Sequence, residues 1–365
     1  MENEAFLSEQ IITYIGNKRK LLPYIDEIVW EVSQDLRKDK LSTADLFSGS
    51  GIVARLLKQH SSVLITNDLE DYSRVINDCY LTDIGDFDEE NYDTLRSRLD
   101  DFCTELKPGI ITENYAPADD ENIRPGERVF YTTRNAAYID TVMQFVRSEV
   151  ADTEQKFFIA PLLHEASVHA NTSGVFKGFY KNSQTGIGQY GGNAKNCLER
   201  IRSDMVLKKP VFSDYSCEHI SCQKDANTLA AELEPVDLVY LDPPYNQHSY
   251  GSNYFMLNTI CRYQIGQNLS RVSGIPNDWH RSPYNKNKEA YASMEDLIRH
   301  IRCRYALISY NSEGFISRDE MLGLLEQFGT VTEKSIRYNT FRGSRNLRER
   351  DTYVREYLYL LRRIP

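Results

Sequence analysis

The tetrapeptide Asp242-Pro243-Pro244-Tyr245 places a carboxylate, two rigid imino acids and an aromatic ring side by side. An exocyclic amine on a heterocycle is a poor nucleophile because its lone pair is delocalised into the ring. The Asp242 carboxylate and the Pro243 carbonyl can each accept one N–H of such an amine, and the prolines hold both acceptors rigid. The Tyr245 ring offers a stacking face for a planar base, a contact worth about 1–3 kcal/mol. The motif indicates group transfer to an exocyclic amine; a tight proline turn with its aspartate in water is the alternative.

A buried strand must carry this motif. Residues 238–241 form a short continuous apolar run, which is typical of a strand covered on both faces of a parallel sheet. The two prolines end the strand because neither can donate a ladder hydrogen bond. We therefore expect Asp242 and Tyr245 at the carboxyl end of a central strand, where open α/β sheets bind their ligands.

A second strand, ending at Asp45, runs into a glycine-rich turn at residues 46–51 and then a helix over residues 52–58. The next strand, at residues 63–67, is followed by Asp68, at the position where nucleoside-binding sheets bind ribose hydroxyls. The turn lacks the Gly-Lys-Ser/Thr of a phosphate loop and the third glycine of a dinucleotide fingerprint. This pattern favours a nucleoside site, the alternative being a structural β-turn-α corner.

The chain opens with a Gly16-Asn17 turn that leads through basic residues into an amphipathic helix over residues 24–36. Backbone amides at a helix start, together with Lys18, can seat a small carboxylate.

Taken in order, residues 14–18, 45–51, Asp68, Asp225 and 242–245 resemble the alpha-group, or Dam-like, N6-adenine DNA methyltransferases. Within that class, residues 242–254 and 308–317 look most like the FokI-type modification enzymes. The similarity lies in the order of the blocks and covers nearly the whole chain. It implies a Rossmann-like fold, S-adenosylmethionine as cofactor, double-stranded DNA as substrate and a restriction endonuclease as a potential functional partner.

The resemblance also implies a role for each matching residue. Those implied to bind the cofactor are Tyr14 and Lys18 at its methionine end, Asp45, Phe47, Gly49 and Gly51 in its loop, Asp68 on the ribose, Asp225 beside the adenine ring, and Asp242 at the border with the substrate. Those implied to be catalytic are Asp242 and Pro243 on the target amine, Pro244 within the motif, and Tyr245 stacked on the flipped base.

The long middle, residues 79–209, shows helical patterns at 131–150 and 157–169. Small polar, aromatic and basic residues then interleave over residues 170–181, a mixture suited to phosphate and base contacts. We expect target recognition here and in the loop 184–196, with an ordinary structured loop as the alternative. The residues predicted to bind DNA are Asn171, Thr172, Lys177 and Lys181, together with Arg342, Arg345 and Arg348 from a later loop.

The sheet resumes near Val211, and we expect Asp225 and Asp242 at the ends of neighbouring strands. Another strand is predicted at 304–310. Residues 331–338 and 353–361 then read as an antiparallel hairpin whose connecting loop carries the arginines placed to meet DNA phosphate.

Composition limits the other classes of function. Net charge is −10, with acids concentrated at residues 78–121 and bases at 334–363, so a basic surface near the site is expected on an acidic protein.

The seven scattered cysteines form no disulfide framework, and Cys217, His219 and Cys222 lack a second pair at zinc spacing. No apolar run approaches a membrane span and the start lacks signal-peptide regions, so we expect a cytoplasmic protein without metal.

The sequence thus predicts an α/β fold: a Rossmann-like S-adenosylmethionine-dependent methyltransferase sheet with a mostly helical inserted target-recognition region. The expected boundaries are 1–78 and 210–365 for the two parts of the methyltransferase domain and 79–209 for the insertion. The predicted reaction is methylation of the adenine N6 amine in duplex DNA. An RNA or protein amine methyltransferase, or a non-catalytic DNA-binding subunit with the same fold, remains the alternative.

Overall fold

A single seven-stranded sheet organises the protein, with strand order β3-β2-β1-β4-β5-β7-β6. The computed structural model describes residues 2–192, 197–339 and 353–364. The strands are β1 Leu41–Asp45, β2 Ser61–Asn67, β3 Glu218–Cys222, β4 Val236–Leu241, β5 Cys303–Asn311, β6 Gly329–Asn339 and β7 Tyr353–Arg363. β1 to β5 pair in parallel, whereas β7 lies antiparallel to both β5 and β6. The predicted fold class is confirmed.

Helices cover both faces of this sheet. They are α1 Glu4–Ser8, α2 Leu22–Leu36, α3 Ile52–Lys58, α4 Asp71–Tyr80, α5 Glu89–Phe102, α6 Ile110–Tyr115, α7 Thr133–Glu149, α8 Lys156–Val168, α9 Leu198–Arg202, α10 Ala226–Glu232, α11 Tyr250–Asn253, α12 Phe255–Arg262, α13 Asn287–His300 and α14 Arg318–Leu325. The helices predicted at 24–36, 52–58, 131–150 and 157–169 are confirmed to within a few residues.

Strand β4 is apolar throughout because both of its faces are buried. Leu238 and Tyr240 belong to one apolar core and Val239 and Leu241 to the other. Since successive side chains of a strand point to opposite faces, a strand between two helical layers has no polar side. The prediction from residues 238–241 is confirmed.

The direction of the strand order reverses between β1 and β4. β1 pairs with β2 on one side and with β4 on the other, so the crossovers diverge at this point and leave a crevice beyond the carboxyl ends of the strands. Asp45 ends β1 and Asp242 follows β4, so both flank the crevice. The expectation that Asp225 and Asp242 end neighbouring strands is wrong, because β2 and β1 lie between β3 and β4.

The middle of the chain contributes helices α5 to α9 and, among its described residues, no strand of the sheet. Its apolar residues belong to the same core as those of the sheet helices; Leu95 and Phe158, for example, share it with Ile25 and Ile260. The middle of the chain therefore shares one core with the helices of the sheet rather than forming a core of its own.

The predicted hairpin near the end of the chain is confirmed as β6 and β7, paired from Gly329 with Arg363 to Asn339 with Tyr353. β7 lies between β5 and β6, with Asn311 opposite Glu356. Arg342, Arg345 and Arg348 lie outside the described residues.

Candidate active site

A cleft opens beyond the carboxyl ends of the parallel strands, and its empty space, open solvent included, is about 840 Å³. The sequence-predicted residues that line it are Tyr14, Lys18, Asp45, Phe47, Gly49, Asp68, Asp225, Asp242 and Pro244. Gly51, Pro243 and Tyr245 lie next to these residues in the chain but are not part of the lining. Blocks from widely separated parts of the sequence therefore meet at one place.

The glycine turn depends on the absence of a side chain at two positions. Gly49 has φ of 50°, and a Cβ there would lie 2.9 Å from the Tyr14 hydroxyl. Gly51 has φ of 77° and precedes α3, and its Cβ would lie 2.8 Å from Asn77 Oδ1. Both backbones occupy the left-handed region that favours glycine. Gly51 thus shapes the turn, whereas Gly49 also borders the cleft.

The turn differs from a phosphate-binding loop in what its amides contact. The Gly49 amide donates to Asp68 Oδ2 at 2.8 Å, and the Phe47 amide donates to Asp45 Oδ1 at 3.3 Å. A carboxylate thus occupies the position where an anionic ligand would bind. This arrangement favours a ligand with positive charge over one with phosphates.

The carboxylates of the cleft are buried, and burial disfavours their charged form. Asp45 is 1% exposed, and burial raises its pKa well above the usual value, with further repulsion from Asp242 and Asp68. Burial, followed by the neighbouring Glu70, raises the pKa of Asp68 to about 6. A cationic group entering the cleft would relieve this repulsion.

Tyr14 is fixed by an aromatic stack. Its ring lies 5.0 Å from that of Tyr250 and 4.8 Å from that of Tyr254, and its hydroxyl is 3.2 Å from that of Tyr72. The Tyr250 hydroxyl donates to the Ile15 carbonyl at 3.2 Å, which ties the first block of the chain to α11. The sequence analysis gave Tyr250 and Tyr254 no role. Their spacing of four residues, which puts both rings on one side of a helix, was the available signal.

Lys18 connects two acids. Its Nζ lies 3.0 Å from Asp242 Oδ1 and 2.8 Å from Glu356 Oε1. The Lys18 and Glu356 side chains are each 6% exposed, whereas that of Asp242 is 21% exposed and lines the cleft. Burial opposes the charge of Lys18, but Asp242 and Glu356 together raise its pKa above the usual range.

The pKa of Asp242 is raised to about 6. Burial is the largest cause, Lys18 acts in the opposite direction, and Glu356 raises the value again. Glu356 was missed by the sequence analysis. The signal was an acid in a strand whose same-face neighbours, Val354 and Leu358, are apolar and buried.

The Asp-Pro-Pro-Tyr loop is anchored on both sides. The Phe315 amide donates to the Tyr245 carbonyl at 3.0 Å, and Asn285 Nδ2 donates to the Asn246 carbonyl at 2.7 Å. The half-buried Tyr245 ring meets Tyr310 edge to face, with centroids 6.3 Å apart. Among the described residues, no hydrogen bond is donated to the Pro243 carbonyl. The loop is therefore rigid and keeps an acceptor available.

The far wall of the cleft carries Asp225 and Phe47. Asp225 caps α10 by accepting from the amides of Asn227 and Thr228, both at 3.1 Å. Phe47 meets Tyr284 edge to face at 5.3 Å. These groups form a partly apolar wall with one carboxylate beside it, which can bind a planar heterocycle with an amine.

The loop 171–191 is built around a buried amide. Asn171 is fully buried; its Nδ2 donates to the carbonyls of Val129 at 2.7 Å and Gln189 at 2.9 Å, and its Oδ1 accepts from the Gly191 amide at 2.9 Å. Thr172 is also buried, and its Oγ1 accepts from the Gly174 amide. Both residues thus lie inside the protein and hold the loop together.

Two lysines of the same loop are exposed. Lys181 lies 4.9 Å over the Phe179 ring, and Lys177 is close enough to His248 to lower its pKa, after burial as the larger cause. His248 lies three residues after the end of the Asp-Pro-Pro-Tyr motif. Lys177 therefore brings positive charge to the loop that carries the motif.

The part of the chain that the structure describes contains no candidate metal site and no candidate transmembrane helix. Its His, Cys, Asp and Glu side chains include no group of three or more placed to hold a metal ion. None of its helices combines the length and hydrophobicity of a transmembrane span.

Comparison with known proteins adds an independent line of argument. The sequence model of one family, described as D12 class N6 adenine-specific DNA methyltransferase, matches residues 14–322. Type II methyltransferase M.NlaIII of Neisseria lactamica is 30% identical over 361 residues, which cover 96% of this chain and 99% of that protein. Type II methyltransferase M.CviAII of Paramecium bursaria Chlorella virus 1 is 30% identical, with 96% and 98% covered.

A larger relative is also similar over nearly the whole chain. Modification methylase StsI of Streptococcus sanguinis is 28% identical, with 96% of this chain but only 52% of that protein covered. The present chain therefore corresponds to about half of that enzyme and to nearly all of the two type II methyltransferases.

Proposed function

This chain belongs to the D12 class N6 adenine-specific DNA methyltransferases, and from that premise we propose which of its residues carry the reaction. The single observation that supports the assignment best is that the Asp-Pro-Pro-Tyr loop and the glycine turn border one acidic cleft. We infer that the glycine turn holds the methyl donor and that the loop holds the target adenine. The RNA, protein and non-catalytic alternatives have no such observation in their favour.

The amine is activated by acceptors rather than by a base. In the proposed complex, Asp242 and the Pro243 carbonyl each accept one N–H of the adenine N6. This pairing pulls the nitrogen toward tetrahedral geometry and directs its lone pair into the cleft. The anchored, proline-rich backbone keeps both acceptors in place, so no reorganisation is needed as charge develops.

The residues of the cleft fit S-adenosylmethionine. Carboxylates at Asp45 and Asp242 suit a ligand with cationic sulfonium and ammonium groups, Asp68 suits ribose hydroxyls, and the wall of Phe47 and Asp225 suits an adenine ring. When bound, this cofactor supplies a methyl group that the amine nitrogen takes while the carbon–sulfur electron pair stays on sulfur. One amine proton then leaves to solvent.

We propose that the target base is flipped out of the duplex to reach Asp242, with an unstacking cost of about a few kcal/mol. The half-buried Tyr245 ring stands beside Asp242 and would stack on the flipped base. Lys177 and Lys181 would contact DNA phosphate, whereas Asn171 and Thr172 support their loop from inside. We also propose that the chain is divided as the sequence predicts. Residues 79–209 form the target-recognition insertion, and residues 1–78 and 210–365 form the two parts of the methyltransferase domain. A restriction endonuclease of the same specificity would be the functional partner.

The test is methylation of unmodified genomic DNA by the purified protein with S-adenosylmethionine, read by single-molecule sequencing that detects N6-methyladenine. We expect methylation at the adenine of one short motif. Asp242→Ala should abolish turnover, because the side chain that is removed holds the substrate amine, while S-adenosylmethionine binding stays detectable in calorimetry, because Asp45 and Asp68 remain. Asp214→Asn, at an exposed position, serves as the control. Turnover of the Asp242→Ala enzyme at the wild-type rate would remove Asp242 from the mechanism.

A further inference from the structure

Glu356 lies behind the active site rather than in it. It is not part of the cleft lining, and its side chain is 6% exposed. It belongs to β7, the strand inserted antiparallel beside β5, and it lies opposite Asn311 in the register. None of the roles described above requires an acid at this position.

Polar partners surround the Glu356 carboxylate. Oε1 lies 2.8 Å from Lys18 Nζ and accepts from Ser309 Oγ at 3.2 Å, and Oε2 accepts from Asn311 Nδ2 at 2.9 Å. Buried charges are usually paired and hydrogen-bonded, and this one satisfies both conditions. The carboxylate is thus held in one orientation toward Lys18.

Two carboxylates share one ammonium in this arrangement. Lys18 contacts Asp242 at 3.0 Å and Glu356 at 2.8 Å, so the three side chains together carry one negative charge when all are ionised. If Glu356 were absent, Lys18 would neutralise Asp242 alone. A neutralised carboxylate is a weaker hydrogen-bond acceptor than one whose counter-ion is shared.

We propose that Glu356 is a positioning residue for methyl transfer, holding Lys18 so that the Asp242 carboxylate is oriented but only partly neutralised. This inference rests on the proposed role of Asp242 in binding the target amine. In the reaction the amine nitrogen bonds to the methyl carbon, the carbon–sulfur bond breaks with its pair on sulfur, and one N–H proton leaves. Nitrogen gains positive charge before the proton departs, and the net negative charge of Asp242, Lys18 and Glu356 stabilises it.

Lys18 and Glu356 are the charged groups that shift the pKa of Asp242. The other titratable groups that face it are the carboxyl of Asp45 and the hydroxyls of Tyr240, Tyr245 and Tyr250, whose own pKa values Asp242 raises. Glu313 lies close enough to Tyr245 to raise its pKa, after burial as the largest cause. A change confined to Glu356 removes one negative charge and leaves the others in place.

A purely structural ion pair is the competing explanation, and it makes a different prediction. In that case replacing Glu356 would lower the thermal stability of the enzyme and shift its pH profile, because Glu356 is one of the groups that raise the pKa of Asp242, but kcat at the plateau pH would not change. A positioning role lowers kcat at the plateau pH as well.

The experiment compares Glu356→Gln with the wild-type enzyme at saturating DNA and S-adenosylmethionine. We expect kcat to fall by about tenfold or more, as for misplacement of a catalytic group, while the KM for the cofactor stays within about twofold. The acidic limb of the kcat profile should move to lower pH, because Lys18 then pairs with Asp242 alone. Glu333→Gln, in the same hairpin but paired with Arg318, is the matched control.

Wild-type kcat at the plateau pH would overturn the proposal, wherever the acidic limb lies. If Glu356→Gln does not fold, the Glu356→Asp variant provides the test. Its side chain keeps the negative charge but is one methylene shorter, so the carboxylate lies farther from Lys18. That variant should keep the acidic limb near its wild-type position with a lower kcat, and an unchanged kcat would overturn the proposal. A fully active Asp242→Ala enzyme would instead refute the proposed function, whatever the Glu356 variants do.

Discussion

In the proposed mechanism Asp242 accepts an N–H of the target amine as a carboxylate, yet it lies where burial opposes its charge. Lys18 lowers the pKa that burial raises, and Glu356 raises it again, so that the pKa of Asp242 is about 6. Lys18 thus favours the charged form of Asp242 and Glu356 disfavours it, so Asp242 changes its protonation state close to physiological pH. A carboxylate in this state is both a strong acceptor and easily neutralised.

Turnover should therefore be lost on mild acidification. Protonated Asp242 has no carboxylate to offer the amine, so kcat should fall about tenfold per pH unit below the pKa of Asp242 in the complex, which is about 6 in the empty cleft and is lowered by the bound cationic cofactor. Saturating S-adenosylmethionine isolates this effect from Asp68, whose pKa is also about 6. The measurement is a kcat profile at constant ionic strength, and a kcat that stays constant from about pH 6 to about pH 4 would contradict the prediction.

The raised pKa of Asp242 affects the stability of the fold in the direction opposite to its effect on turnover. The folded protein binds the Asp242 proton more tightly than the unfolded chain does, so this group stabilises the fold at low pH. That contribution is lost as the pH rises from about 4 to about 6. Acidification through this range thus favours the fold through Asp242 while it protonates the carboxylate proposed to bind the target amine.

Among the elements, the loop 171–191 depends most on one side chain. Asn171→Ala would leave two buried carbonyls and one amide without their partner, at a cost of about 1–3 kcal/mol for each unsatisfied group. We expect a lower free energy of unfolding in urea and a higher KM for DNA, because Lys177 and Lys181 lose their fixed positions.

The control for this variant is Ser183→Ala, an exposed position in the same loop. S-adenosylmethionine binding should be unchanged in both variants, since Asn171 lies outside the cleft. An Asn171→Ala enzyme with wild-type stability and DNA affinity would show that the buried amide does not organise this loop.

Individual helices and strands could be predicted from the sequence where a single local pattern determines them. The helix after the glycine turn begins and ends as predicted, at Ile52 and Lys58, because apolar periodicity and Gly51 define it. Strand β4 and the β6–β7 hairpin were likewise predicted, since buried runs and alternation mark strands directly.

Spatial order was harder to predict than the elements themselves. Asp225 and Asp242 follow consecutive strands in the sequence, but β2 and β1 separate those strands in the sheet. Glu356 was missed because its apolar neighbours Val354 and Leu358 indicate a buried face but do not show which residues that face meets, and this depends on β7 inserting beside β5. Asn171 reads as a polar loop residue, although its amide replaces backbone partners inside the fold.

At the scale of the whole molecule, an acidic protein must bind a polyanion. Net charge is −10, and acids of α5 pair with basic residues elsewhere, for example Glu89 and Asp93 with Lys209. Affinity for DNA therefore depends on local positive charge rather than on the overall field. Lys177 and Lys181 supply such charge on the loop beside the motif.

Replacing both lysines with glutamine should weaken DNA binding in a salt-dependent way. Each lost phosphate contact lowers the slope of log affinity against log salt by about 0.9. The double variant should therefore show a shallower slope and a higher KM for DNA, with S-adenosylmethionine binding unchanged. Fluorescence anisotropy over a salt series measures this. Lys208→Gln with Lys209→Gln is the charge-matched control, and equal slopes for the two double variants would refute the proposed interface.

The ion pair between Lys18 and Glu356 joins residues 338 positions apart. A ribosome delivers the glycine turn, β1 and β4 before it delivers β7, so a nascent chain can form most of the cleft while the partner of Lys18 is still unmade. With the proposed role of Glu356, full turnover begins only when this late strand inserts beside β5. Contacts of such long range also form slowly. Methylation by a newly made chain would then wait for the docking of this one strand.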